Sequence, residues 1–410
     1  MDSEYWFILI ISLVIFNFLF STILEYVNDK NWKTIIPLNL KEYYNKEKYI
    51  KAKEYKIERG KISFISSSIS FVFTLFLLWF EGFGIISEFT LKYSNSSFAH
   101  SGLFISVFFI INFIIGLPFS YYSTFYIEEK FGFNKTTINT FILDKIKGIF
   151  LSILIGGFLL FGAMFLFDKL ENGFWLWLWI ALSFFIILLN MFYADIIVPI
   201  FNKLTPLEDG TLRKKIEEYS KEVGYSLKNI FVIDGSKRSS KANAFFSGIG
   251  PKKTIALYDT LIEKHSEDEL VAVLAHEVGH YKKKHVLFSM ILSIIQLGIM
   301  CFLFELCMSQ DFISQALGSE RMYFHLGLIG FSFLYSPIGL FIGVLLNILS
   351  RKNEFEADEY AKETSDGNSL QLALKKLSVD SLSNLYPHPF YVFIHYSHPP
   401  LLSRLEALEK

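Results

Sequence analysis

Seven stretches of the chain are apolar over roughly the 20 residues that an α-helix needs to cross a bilayer. They run over 5–24, 62–81, 102–122, 148–167, 174–194, 286–306 and 326–348. The pattern predicts seven transmembrane helices. Only the polar link from Asp168 to Gly173 separates the fourth stretch from the fifth, so these two form an antiparallel helical hairpin. Pro337 inside the seventh predicts a kink or a break.

Between the fifth and sixth stretches the pattern becomes polar and mixed. Residues 211–223 have a helical pattern, while 229–234 and 253–258 read as short strands bounded by Gly235, Gly248, Gly250 and Pro251. Residues 267–284 read as a helix, with Ser266 as its cap and Glu269 completing a capping box. The chain thus divides into a five-span membrane region with cytosolic loops (1–194), a polar segment (195–285), two further spans (286–349) and a polar C-terminal segment (350–410).

Charge orients these segments. The loop after the first span carries Lys30, Lys33, Lys41, Lys46, Lys48, Lys51, Lys53, Lys56, Arg59 and Lys61, whereas the loop after the second holds only Lys92. The positive-inside rule then puts the N-terminus outside and both large polar segments in the cytosol. The first stretch begins with Asp2 and Glu4 and has no basic n-region, so it reads as a retained span rather than a signal peptide. Leu408-Glu409-Lys410 carries no retention or lipidation signal. Composition agrees with a polytopic membrane protein: 52% of the 410 residues are hydrophobic and mean hydropathy is +0.38. A net charge of −1 gives no basic field for nucleic acid. The two cysteines, Cys301 and Cys307, build neither a disulfide framework nor a thiolate metal site.

The polar segment carries the candidate chemistry. His276-Glu277-Val278-Gly279-His280 lies on the predicted helix just ahead of the sixth span. Residues four apart share a helix face, so the two imidazoles can grip one metal ion while Glu277 takes a proton from an activated water. The plain alternative is a solvated surface helix, since Lys282, Lys283 and Lys284 follow at once. A catalytic zinc needs a third protein ligand. A third His six residues past the second is missing, because position 286 is Val. The chain crosses through the sixth span, returns through the seventh and re-enters the cytosol near 350, at Ser350-Arg351-Lys352-Asn353-Glu354-Phe355-Glu356-Ala357-Asp358. Glu354 and Asp358 share a face. Glu354 can be the third ligand, and Asp358 can hold a ligand imidazole by its far nitrogen. Glu356 points elsewhere, and the plain reading of all three is a solvated acidic face. His398, ahead of Pro399-Pro400, and Arg404 are candidate donors to a developing oxyanion. Asn243 and Ala244 form either a strand edge to which a peptide can add or an ordinary turn. His285, five residues after His280, falls off the ligand face and is expected to be peripheral.

Taken together these residues resemble the integral-membrane zinc CAAX prenyl endopeptidases of the a-factor-converting type. The resemblance spans nearly the whole chain. It rests on residues 47–55 in the first loop, Leu117-Pro118, 124–135, 199–207, Asn243-Ala244, the metal-motif helix, 350–358 and Ser397-His398-Pro399-Pro400, all in order. It implies seven helices enclosing a chamber in the membrane, capped by a cytosolic zincin-type metalloprotease domain. It implies one Zn2+ on His276, His280 and Glu354, with Glu277 as general base. It also implies His398 and Arg404 at the reacting carbonyl, and Asn243 on the substrate backbone. Family substrates are C-terminally prenylated proteins that lose their last three residues. Two departures stand out: residues 308–322 are short, and Lys241-Ala242 precede Asn243 where other polar residues are usual.

The sequence therefore predicts a multi-pass zinc endopeptidase of the ER or a bacterial inner membrane, embedded in the lipid bilayer with its protease site on the cytosolic side and acting on prenylated or membrane-anchored peptides. A bacterial membrane-protein processing or quality-control protease without prenyl substrates is the alternative. A lipid-handling or transport protein with a vestigial metal site is disfavoured, because Asn112 and Asn190 are the main polar interruptions of the spans.

Overall fold

The computed structural model describes residues 3–410 except 95, 171, 226, 228 and 248–253. The strand bounds Gly248, Gly250 and Pro251, and Lys253 of the expected strand, lie outside the described residues. Among the described residues seven helices are long and apolar enough to span a membrane: α1 (Ser3–Lys30), α2 (Lys46–Trp79), α3 (Ser97–Glu128), α4 (Ile138–Lys169), α5 (Phe174–Phe201), α8 (His285–Met308) and α9 (Phe324–Thr364). Each matches one of the apolar stretches, although α2 ends at Trp79, two residues short of the expected 81. Between 6% and 17% of each span's most apolar window is buried. A solid bundle would bury an inner face, so these helices stand around space rather than around a packed core.

The break expected at Pro337 does not occur. Proline has no N–H for the carbonyl four residues back, which is that of Phe333. The neighbouring Ser336 hydroxyl donates to that carbonyl at 2.7 Å instead, and Asn17 on α1 donates to the Ser336 oxygen at 2.7 Å. The freed acceptor is satisfied, and α9 runs on for 41 residues, out of the span and into the polar segment.

That segment is built on a four-stranded sheet of β1 (Leu204–Pro206), β2 (Asn229–Ile233), β3 (Ala244–Ser247) and β4 (Thr254–Tyr258). The strand order is β1-β2-β4-β3, with β2 and β4 parallel and the outer strands antiparallel. The Ala244 stretch is therefore an edge strand, not a turn. One apolar core joins the sheet to the surrounding helices. Ile255 and Leu257 of β4 meet Ile216 of α6 (Thr211–Glu222), Leu274 and Val278 of α7 (Glu267–Lys282), Ala361 of α9 and Leu370 of α10 (Gly367–Asp380). A final helix, α11 (Leu401–Glu409), adds Leu408 to the same core.

Two ion pairs lock this body to the membrane helices. Lys241 Nζ lies 2.9 Å from Glu128 Oε2 and 2.8 Å from the Tyr55 hydroxyl, and sits over the Phe133 ring at 4.1 Å. Arg238 pairs with Asp144 through two bonds of 2.7 and 2.8 Å. Both residues lie on the connection that leads into β3.

Candidate metal centre and active site

The capping box at the start of α7 is present. The Ser266 hydroxyl accepts from the Glu269 N–H, and Glu269 Oε2 accepts from the Ser266 N–H, both at 3.3 Å. The buried Glu269 carboxylate also takes Lys376 Nζ of α10 at 2.6 Å and His265 Nδ1 at 2.9 Å. Burial lowers the pKa of His265 and outweighs the opposing pull of Glu269. The start of the metal-motif helix is thereby pinned to a neighbouring helix.

Further along, α7 crosses α9 closely at Gly279. A Cβ there would stand 3.1 Å from the Cα and carbonyl oxygen of Ala357. Glycine permits this approach without displacing α9, and it brings the histidines onto Glu354. His276 Nε2 and His280 Nε2 are 3.2 Å apart. His280 Nε2 is 3.3 Å from Glu354 Oε1, and His276 Nε2 is 3.5 Å from Glu354 Oε2. Donors at two corners of a tetrahedron, each about 2.05 Å from a metal, stand about 3.3 Å apart. The two imidazole nitrogens match one edge of such a tetrahedron, an oxygen of the Glu354 carboxylate stands at a similar distance from each, and one ligand atom from each of the three residues lies within 4.8 Å of the others. Glu354 Oε2 is buried without a hydrogen-bond partner, as suits an oxygen held for a cation. The donor set of two imidazoles and one carboxylate fits a catalytic zinc ion.

A surrounding layer fixes these ligands. His276 Nδ1 meets Asp358 Oδ1 at 2.9 Å. Arg404 binds both oxygens of Asp358, at 2.8 Å and 2.6 Å, and its Nη1 lies 3.5 Å from Glu354 Oε2. Arg404 is 9% exposed. Two of its three nitrogens are taken by Asp358, which leaves Nη1 beside Glu354. Burial opposes a charged His276, yet its bonds to Asp358 and Glu354 outweigh burial and push the imidazole up to about 9. The same two carboxylates favour a cation between the imidazoles. His398 is well exposed, at 66% of its side chain, and its Nε2 is 3.4 Å from Glu354 Oε1.

His285 is not peripheral. Helix α7 ends at Lys282, and Lys284 adopts a left-handed conformation with φ of 62°. The chain changes direction there, and the His285 ring returns to the site. His280 Nδ1 lies 3.1 Å from His285 Nδ1, and His285 Nε2 lies 3.0 Å from Glu356 Oε2. One proton arrangement satisfies this series: Glu356 accepts from His285 Nε2–H, and His285 Nδ1 accepts from His280 Nδ1–H. That leaves His280 Nε2 unprotonated toward the metal position. Glu356, which was expected to point away from the site, acts on it through His285. Helical spacing alone does not reveal this pair, because its members lie on different helices.

Glu277 and His280 border a cavity of about 670 Å³ that is also lined by Asn243, Phe245, Tyr258 and Arg238. Asn243 and Phe245 are two apart, on one face of the edge strand. Ala244 opens β3, and its N–H donates to the Asn243 side chain at 2.9 Å. The structure therefore gathers His276, His280, Glu354, Asp358, Arg404 and His398 into one cluster, and sets Glu277 and Asn243 on the wall of the adjoining cavity.

A family model for the CAAX prenyl protease N-terminal region, with five membrane helices, matches residues 25–203, and the model for peptidase family M48 matches residues 206–410. A CAAX prenyl protease 1 homolog of Oryza sativa subsp. japonica is 34% identical, covering 98% of this chain and 96% of its own length. CAAX prenyl protease 1 of Saccharomyces cerevisiae is also 34% identical, covering 98% and 95%. The crystal structure of S. mikatae Ste24p superposes with a TM-score of 0.93 at 33% identity, over 99% of each chain. The chain belongs to peptidase family M48 and carries the membrane region of its CAAX prenyl proteases. It is a multi-pass membrane metalloendopeptidase whose seven helices enclose a chamber within the bilayer.

Proposed function

We propose that this protein removes the C-terminal tripeptide of prenylated CAAX proteins at a single zinc ion held by His276, His280 and Glu354. The observation that carries the reading is the triangle of metal donors, set beside a cavity that Glu277 and an edge strand share. The relatives' names supply the substrate class.

Bound there, a zinc ion supplies a Lewis acid that acidifies water and polarises a carbonyl. Glu277 takes the proton of the attacking water and hands it to the leaving amine. Asp358 and the His285–Glu356 pair hold the ligand imidazoles in their working tautomers. Arg404 neutralises the carboxylates of Asp358 and Glu354. His398, exposed and close to Glu354, is the side chain free to donate to the oxyanion as the carbonyl is attacked. Asn243 and Ala244 position the peptide along β3. In this reading the polar body (195–285 and 350–410) lies in the cytosol, and the seven spans bring the prenylated end to it from the bilayer.

The test is cleavage of a farnesylated CAAX peptide by the detergent-purified protein, beside Glu277→Ala and a chelated sample. Release of the final tripeptide, lost in both controls, is the expected result. Stoichiometric zinc with no cleavage of that peptide would keep the metal centre and reject the substrate class. Reporter fusions at Lys92 and Lys410 test the orientation.

A further inference from the structure

One face of helix α9 does more than hold the metal position. Asn347, Arg351, Glu354 and Asp358 follow one another at intervals of four, three and four residues, so they form one stripe along the helix. Glu354 and Asp358 serve the metal cluster. Asn347 and Arg351 bind the chain just ahead of His398. The short helix Pro389–His395 ends there, and the last carbonyls of a helix have no partner within it. Asn347 Nδ2 donates to the Ile394 carbonyl at 2.8 Å. Arg351 Nη1 donates to the Val392 carbonyl at 3.1 Å and to the Tyr396 carbonyl at 2.5 Å, with the Phe393 carbonyl at 3.5 Å. Hydrogen bonds from a charged donor are the stronger kind.

Tyr396 stands two residues before His398. The chain then reads Ser397-His398-Pro399-Pro400, and α11 begins at Leu401. The prolines have a fixed φ, and Arg404, in the first turn of α11, is bound to Asp358. His398 therefore sits on a four-residue bridge whose two ends are fastened to the same stripe of α9, by Arg351 before it and through Asp358 after it. The ring itself has little else to fix it. Its side chain is 66% exposed, and Nδ1 meets only the neighbouring Ser397 hydroxyl, at 3.0 Å. The backbone thus decides where His398 Nε2 stands. That matters for a donor to an oxyanion, which must lie within about 3 Å of the developing charge. A displacement of about 1 Å can cost about a hundredfold in rate.

We propose that Arg351 is a positioning residue for catalysis: by fastening the Tyr396 carbonyl to α9, it sets His398 at a fixed separation from the metal ligand Glu354, one turn away on the same helix. This rests on the reading of His398 as the oxyanion donor. An interaction made only as the carbonyl is attacked appears in kcat and not in KM, so the loss of Arg351 falls on kcat.

The experiment measures kcat and KM for a farnesylated CAAX peptide with the full-length protein in detergent. It compares wild type, Arg351→Gln, Arg351→Lys, His398→Ala and the double variant Arg351→Gln with His398→Ala, with zinc content determined for each. Arg351→Gln is expected to lower kcat by about ten- to a hundredfold, with KM within about twofold and zinc content unchanged. Arg351→Lys keeps the charge but spans fewer carbonyls. It should fall between, and it carries the same comparison should Arg351→Gln not fold. The double variant should be no slower than His398→Ala. Hydrogen exchange of the metal-free protein gives a second readout: Arg351→Gln should quicken exchange over residues 392–398 and leave α7 unchanged. An equal fall in kcat with and without His398 overturns the proposal, as does a fall confined to KM or to zinc content. Full activity in His398→Ala overturns the oxyanion reading, and the positioning role with it. A wild type that leaves this peptide uncut overturns the substrate reading, and hydrogen exchange then decides the clamp: exchange over 392–398 unaltered by Arg351→Gln overturns it.

Discussion

At the scale of single residues, the two ligand histidines are held by different means. His276 is held by Asp358 directly, and His280 by Glu356 through His285. Loss of such partners commonly lowers metal affinity ten- to a hundredfold. Glu356→Gln and His285→Ala should each weaken zinc binding by roughly tenfold, measured by competition with a chromophoric chelator. The double variant should be no weaker than His285→Ala, because Glu356 reaches the metal position only through that ring. Equal, additive losses would show that the two act independently. Glu277→Gln, by contrast, should leave zinc binding intact while cleavage stops. His265 gives a prediction of another kind. Its pKa in the folded protein is lowered below the usual 6.5 by burial, so the unfolded chain binds the proton more readily. Its contribution to stability is complete above pH 6.5 and is lost as pH falls through the lowered value. Thermal unfolding of the purified protein should therefore shift to lower temperature below pH 6.5, and His265→Gln should flatten that slope. A slope unchanged by the substitution would assign the acid sensitivity to other groups.

At the scale of elements, legibility followed length and local signal. The seven spans were readable because each is a long apolar run, and the motif helix because Ser266 and Glu269 mark its start chemically. Strands β1 and β3 span three and four residues, too short for an alternation to show. The end of α7 was misplaced because three lysines look helical, whereas the left-handed Lys284 that turns the chain leaves no mark in the sequence. Pro337 misled for the opposite reason. It is a strong breaking signal, silenced by a hydroxyl one residue away. Gly279 stands at a position of the metal motif that carries no ligand chemistry, yet it lies where α7 and α9 cross. Gly279→Ala should force the helices apart by a few tenths of an ångström, costing about 1–3 kcal/mol of stability. It should also weaken zinc binding, because His276 and His280 ride on one helix and Glu354 on the other. A variant with lower stability but wild-type zinc affinity would mean that the ligands are placed by something other than this crossing.

At the scale of the whole molecule, a membrane chamber and a protease body must keep one alignment while a peptide passes between them. Helix α9 supplies part of it by running unbroken from span to ligand. The rest comes from the connection into β3, where Lys241 binds Glu128 and Tyr55 from the membrane helices. The Tyr55 hydroxyl also donates to Glu128 Oε1 at 2.6 Å, so the three groups form a closed, part-buried set. The structure gives Lys241 specific partners on two membrane helices. Cutting the link should loosen β3 relative to the chamber without touching the metal. Lys241→Met is expected to raise KM about fivefold, as for loss of about 1 kcal/mol of coupling, with kcat and zinc content little changed. Exchanging the charges, Lys241→Glu with Glu128→Lys, should recover much of that loss, since the pair can form again in reverse. A double variant as impaired as the two single variants combined would show that the contribution lies in packing against Phe133 and Tyr55, and that the ion pair does not set the alignment of the peptide-binding edge.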